Sequence, residues 1–291
     1  NGRLKMNINW YPGHMAKARR LIEENLKTVD MAAELVDARI PSASRNPDID
    51  RILAGSSKPR IVILNKSDLA DPAQNRRWVE YYESAGCKAL LFNSKNKGGK
   101  PAFVSAVKEA YKDRIEKNIA RGMAGRHIKI MVLGIPNVGK STLINSLCGV
   151  QAAKAEDRPG VTRTKQWVGV GDGIDMLDMP GILWPKLDDR EAALLLALTG
   201  AIRDEILDTE GLAVKLIEKL RDTYPNMLKA RYKIDGELPE DNFEALQLIG
   251  KKRGFLVSGG EINTERAATV LLDEFRGCKI GKITLEQAPR G

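Results

Sequence analysis

The stretch GIPNVGKST, residues 134–142, follows the apolar run KIMVL and opens the helical run STLINSL. A strand ending in Gly134, four further residues, then Gly139, Lys140 and Ser141 is the pattern of a phosphate loop. Its glycines let successive backbone N–H groups turn inward, and the following helix adds its positive end. Asn137, Val138, Gly139 and Thr142 then line the phosphates, Lys140 reaches the β- and γ-phosphates as a catalytic group, and Ser141 ligates magnesium. Such a loop needs a largely parallel α/β sheet behind it, and no other feature of the chain constrains the fold as much. Well upstream stands NKSD, residues 65–68, a guanine reader. In the usual arrangement the phosphate loop comes first.

The base reader sets nucleotide choice. The Asp68 carboxylate can accept both the ring N–H and the exocyclic amine of guanine, whereas adenine would leave it buried and unpaired. The Lys66 stem covers the base plane and Asn65 ties loops together. GTP, with GDP as product, is therefore the expected nucleotide, and ATP should be rejected. NSK, Asn93, Ser94 and Lys95, follows a strand end where a loop supporting the guanine carbonyl belongs; taken alone the tripeptide carries little. DMPG ends another apolar run, placing Asp178 as a magnesium ligand and the Gly181 N–H at the γ-phosphate. In PGVTRT, Thr162 is the switch threonine that completes the magnesium shell, with Thr164 as the alternative. The order base reader, base-supporting loop, phosphate loop, switch threonine, DxxG is a cyclic rotation of the usual one, which a parallel sheet tolerates if the original ends lay close together.

The rest of the chain fits two domains. Its 291 residues are 43% apolar, enough for one substantial core and a second, smaller one. Strands are expected over 32–40, 59–66, 88–94, 128–134, 165–171 and 174–181, with a helix over 71–86 and one long helix over 101–122. Beyond about residue 187 the strand signal fades, and helical periodicity runs over 210–224, 239–254 and 263–279. The fold class is thus a phosphate-loop α/β domain over 6–187, mostly parallel, and an all-helical domain over 188–291. Met6 reads as the native start, with residues 1–5 set aside. No apolar run approaches the length of a membrane span and NGRLKMNINW has no signal core, which points to a cytoplasmic chain without a membrane partner. The three cysteines are scattered, against a disulfide framework or a zinc site. A formal charge of +9 favours polyanionic partners.

WYPGHMAKA (10–18), DARIP (37–41), NKSD, GIPNVGKST, PGVTRT, DMPGILWP and the tail FRGCKIGKITLE (275–286) together resemble the circularly permuted GTPases of the ribosome biogenesis GTPase A type, bacterial factors for late assembly of the large ribosomal subunit. The resemblance runs nearly end to end, and the first and last of these stretches are the specific ones. It implies GTP hydrolysis, with the large subunit, through its rRNA and proteins, as partner; no DNA partner is expected, and the chain is expected to act as a monomer.

Two positions depart from the commonest switch pattern. Ile182 stands where a water-orienting glutamine would, so another group must hold the attacking water. From the residues, His14, heading the basic run MAKARRLIEENL, can be that group, an N-terminal cap or an RNA contact; the resemblance assigns it the catalytic role. His127 reads as a solvated or capping residue. Asn137 suits a plain turn, and in similar GTPases it ligates a potassium ion in place of an arginine finger; Arg158 and Arg163 stay open as alternatives. Basic clusters at Lys17, Arg19 and Arg20, at Lys229, Arg231 and Lys233, at Lys251, Lys252 and Arg253, and at Arg276, Lys279 and Lys282 suit RNA backbone recognition, although each alone also reads as a solvated helix face. A GTPase stimulated by the large subunit is the leading reading. The alternatives are a nucleotide-dependent RNA-binding scaffold with incidental turnover, and a permuted GTPase acting on the small subunit or another RNA.

Overall fold

The computed structural model describes residues 12–149, 166–179, 181, 189–202 and 208–289. Two compact units divide at 188/189, and the chain returns to the first of them at Glu286. The sequence reading gave all of 188–291 to the helical domain; the described tail, 286–289, belongs instead to the nucleotide unit.

That unit runs α1 (Pro12–Leu26), β1 (Met31–Asp37), α2 (Pro47–Ala54), β2 (Arg60–Asn65), α3 (Pro72–Ser84), β3 (Lys88–Leu91), α4 (Lys100–Ala110), α5 (Lys112–Ala120), β4 (Ile128–Gly134), α6 (Lys140–Cys148), β5 (Gln166–Gly171) and β6 (Ile174–Asp178). The sheet order is β3-β2-β1-β4-β6-β5. All neighbours pair in parallel except β5, which runs antiparallel to β6. β1 leads outward to β2 and β3, and β4 then returns to the middle beside β1. The chain reverses its direction of growth between β1 and β4, where a doubly wound sheet opens its ligand crevice. Asp37, Asn65, Gly134 and Asp178 end β1, β2, β4 and β6 on that edge.

Every residue of β1 is buried, as expected of a strand with both faces covered. On the face carrying Val36, Val62 and Met131, α1 and α2 contribute Ile22, Leu26, Ile49 and Leu53, while α3 contributes Trp78 and Tyr82. α4 packs on β2 and β3, and α6 on β4, β5 and β6. Asp71 caps α3 by accepting from Ala73 N, with Pro72 in the first turn. The single helix expected over 101–122 is two. Tyr111 leaves helical geometry at φ −108°, ψ 8°, between α4, which buries Phe103, Ala106 and Val107, and α5, which buries nothing. The apolar stripe ends at Tyr111, and with it the reason to continue in register along the sheet.

The helical unit contains α7 (Arg190–Leu198), α8 (Thr209–Thr223), α9 (Pro225–Tyr232), α10 (Asn242–Lys252) and α11 (Thr264–Arg276). Leu212, Leu216, Ile217 and Leu220 of α8 are buried, as are Leu246 and Ile249 of α10 and Leu271 and Leu272 of α11. Asp189, Asp208, Asp241 and Asn263 cap α7, α8, α10 and α11 with side-chain oxygens. Among the described residues no helix is long and apolar enough to cross a membrane.

Candidate nucleotide-binding site

The loop between β4 and α6 is held by backbone conformations that few residues tolerate. Gly139 sits at φ +99°, and a Cβ there would lie 2.5 Å from Asn65 Nδ2. Asn137 takes φ +58°, a region asparagine visits more readily than most residues. Val138 is buried, and Ser141 and Thr142 are half-buried in the first turn of α6.

The NKSD turn is bonded directly to this loop across more than seventy residues of chain. Asn65 Nδ2 donates to Val138 O at 2.8 Å, and Lys66 Nζ donates to Asn137 O at 2.9 Å. Asn65 Oδ1 accepts from Ser94 N at 3.1 Å and from Ser94 Oγ at 2.7 Å, which brings in the third loop. In that loop Asn93 Oδ1 accepts from Lys95 N at 2.9 Å. Asp68 is half-buried in the turn after β2.

Asp37 and Arg39, quoted from DARIP but given no role by the sequence reading, belong to the same constellation. Asp37 is 3% exposed and pairs with Arg39 through two bonds, 2.9 and 2.7 Å, while its Oδ2 also accepts from Lys66 Nζ at 3.0 Å. Burial alone would raise its carboxyl; Arg39 and Lys66 outweigh that and hold it well below the usual range. Burial lowers the Lys66 ammonium, with Asp37 opposing. The sequence carried a signal for this group: an acid and a base two apart where a strand ends. Asn75 was also missed; its Nδ2 donates to Ser67 O at 2.9 Å, holding the NKSD turn from α3.

Lys140 is buried, and its ammonium donates to Gly134 O and Ile135 O at 3.2 and 3.1 Å. Burial pushes it down to about 8, with Asp178 opposing. Burial raises Asp178 in turn, Lys140 opposing, and among the described residues Asp178 Oδ1 has no hydrogen-bond partner. A buried ammonium resting on two carbonyls and a buried carboxylate oxygen without a donor suit an anion and a cation respectively, so the residues fit a phosphate chain with its magnesium. A Cβ on Gly181 would lie 2.9 Å from Lys140 Nζ and 3.0 Å from Pro136 N, which places the DxxG glycine against the phosphate loop.

His14 falls in the first turn of α1, which starts at Pro12 rather than after the histidine; its side chain lies outside the described residues. Thr162, Thr164, Arg158, Arg163 and Ile182 also lie outside them. His127 is exposed, with Nδ1 3.1 Å from Asp175 Oδ2. Three arginines of the basic clusters are engaged internally. Arg231 bonds Glu274 at 2.9 and 2.7 Å, Arg253 also binds Glu274, and Arg276 donates to Leu198 O and Ala197 O at the end of α7.

Residues 129–233 match the family described as "50S ribosome-binding GTPase". The match starts at β4 and does not include NKSD, which precedes it in the chain. The chain is similar to "Ribosome biogenesis GTPase A" of Bacillus cereus, 46% identical over 97% of this chain and 94% of the relative. It is also similar to that of Priestia megaterium, 47% identical over 97% of both, and to that of Thermotoga maritima, 30% identical over 96% and 94%. Among solved structures it resembles "GDP-bound" TM YlqF, with a TM-score of 0.65 at 25% identity, covering 92% of this chain and 99% of the other. The "GNP-bound YlqF from T. maritima" follows at 0.62 and 26%, covering 94% and 100%.

Proposed function

The chain belongs to the ribosome biogenesis GTPase A family, a set of GTPases with circularly permuted motif order, and from that premise we propose that it binds rRNA of the large ribosomal subunit and hydrolyses GTP when the particle stimulates it. The observation that carries this reading is the pair of bonds from Asn65 and Lys66 to Val138 O and Asn137 O, which joins base reader and phosphate loop into one site.

In this reading Asp68 accepts from the guanine edge, Lys66 covers the base, and the Asn93, Ser94 and Lys95 loop supports its carbonyl. Asn137, Val138, Gly139, Ser141 and Thr142 cradle the phosphates, and the Gly181 N–H meets the γ-phosphate. Lys140 moves from its two backbone carbonyls onto the β- and γ-oxygens, where its charge is fully compensated. Ser141, Thr162 and Asp178 would hold magnesium, which would supply positive charge to the phosphate oxygens. His14 positions the attacking water in place of the glutamine that Ile182 replaces. Asn137 would ligate potassium, which would supply charge in place of an arginine finger; equal turnover in sodium and potassium buffers would remove that role.

With Arg231, Arg253 and Arg276 bonded to the buried Glu274 or to the end of α7, RNA contact falls to the exposed Lys233, Lys251, Lys252, Lys279 and Lys282 and to Arg19 and Arg20 of α1, whose pairs with Glu23 and Glu24 are exposed. The protein acts as a cytoplasmic monomer. GTP turnover with purified large or small subunits tests the whole reading. Stimulation by the large subunit alone, lost in His14→Ala while GTP affinity is kept, is the expected result. Equal turnover with and without either particle would favour the RNA-binding scaffold.

A further inference from the structure

The tail motif FRGCKIGKITLE ends at Glu286, and nothing in nucleotide or RNA binding accounts for that end. Glu286 lies instead on the nucleotide unit, where Ser42 N donates to its Oε2 at 2.7 Å and Ala43 N donates to both carboxylate oxygens, at 3.0 and 3.1 Å. Its carbonyl accepts from Trp78 Nε1 at 3.2 Å. Gln74 Nε2 donates to Gln287 Oε1 at 2.6 Å, Ala288 N donates to Gln74 Oε1 at 3.4 Å, and the Ala288 methyl packs on the apolar group around Trp78.

The tail therefore grips two elements, the turn after β1 and helix α3, and each of them holds the base reader. The turn begins at Asp37, whose carboxylate accepts from Lys66 Nζ and whose N–H donates to Ser44 Oγ, one residue past Ala43. Ser44 Oγ in turn donates to Ile40 O, closing the turn on itself. From α3, Asn75 holds Ser67 O one residue past Lys66. Tyr82 joins the two supports by donating to Pro41 O. Lys66 itself sits at φ +59°, a conformation that persists where the surroundings hold it.

We infer that residues 286–288 are a positioning strap for the base-reading loop. A carboxylate accepting from successive backbone amides makes charge-assisted bonds that fix the turn at its midpoint. With the turn and α3 tied to one strand of chain, Asp37 and Asn75 present Lys66 and Ser67 in one geometry, and Asp68 beside them meets the guanine edge. The strap touches no nucleotide atom; it acts through those residues. The inference rests on the reading of NKSD as the guanine reader.

The test uses the full chain carrying Glu286→Gln and a chain ending at Leu285. Dissociation constants for GDP, IDP and ADP are measured by displacement of a fluorescent GDP analogue, with hydrogen exchange over 38–46 and 65–68. IDP lacks the exocyclic amine that Asp68 reads. The wild type should prefer GDP to both competitors. Truncation should weaken GDP binding about tenfold, the scale of one lost charged hydrogen bond, shrink the GDP-to-IDP preference, and speed exchange in both segments. Glu286→Gln should shift all three in the same direction by less, and it carries the test alone if the shortened chain fails to fold. Unchanged GDP affinity and preference in the variants would overturn the strap, as would an equal loss for GDP and IDP with unchanged exchange. A wild type that does not prefer GDP to ADP would overturn the reading of the base loop instead.

Discussion

Lys140 makes the sharpest residue-scale prediction, because its protonation differs between the free and the phosphate-bound site. Burial, only partly offset by Asp178, pushes its ammonium down to about 8; phosphate oxygens beside it favour the charged form and raise that value. Binding therefore takes up a proton once the pH exceeds about 8, and takes up none below. GDP affinity should be flat from pH 6.5 to 7.5 and fall by up to about tenfold per unit above pH 8, with proton uptake visible as a dependence of binding enthalpy on buffer ionisation. A flat profile to pH 9 would show that Lys140 is charged throughout. The residues that the sequence made legible here are those with a fixed motif spacing. Asp37 and Asn75 were not, because each acts by holding another residue, and a supporting contact leaves no spacing rule in the chain.

Among the elements, the strands were easier to read than the helices of the second unit. Most are predominantly apolar runs, as a covered sheet requires, and the observed limits of all six lie within a few residues of the expected ones. α7, REAALLLAL, buries Ala193 to Leu198 without interruption and so shows no amphipathic period. α9 buries only Leu228 and Tyr232, too few for a stripe to be seen. The basic residues of α9 and those at the end of α10 looked alike in sequence, yet Arg231 and Arg253, the residue after α10, converge on the buried Glu274 of α11, which also accepts from Tyr232 Oη at 2.9 Å. Hydrogen bonds from Arg231 hold the Glu274 carboxyl below its ordinary value, Tyr232 and Arg253 adding to the effect against burial. Glu274→Ala strands a buried hydroxyl and two guanidinium groups. Both arginines are about a third exposed, so the loss is expected near 2 kcal/mol rather than the larger cost of a fully buried pair. Thermal unfolding of the isolated variant checks this. An unchanged midpoint would mean that the three partners find water instead.

For the whole molecule, the permuted order places NKSD in the first third of the chain and the phosphate loop near its middle, and the sheet brings the two together because only β1 separates β2 from β4. The motif order was legible as a rotation of a known arrangement. The return of the tail to the nucleotide unit was not, since the contacts of Glu286 join residues 244 apart and no periodicity marks them. If the two distant stretches read opposite ends of one nucleotide, Asp68 decides which base the phosphate loop accepts. The most direct measurement is the affinity of Asp68→Asn for GDP and for xanthosine diphosphate, whose carbonyl at position 2 replaces the amine of guanine. GDP affinity should fall about a hundredfold, near 2.7 kcal/mol, while xanthosine diphosphate becomes the preferred ligand. GDP binding that is unaffected by the substitution would contradict the single site on which the account depends.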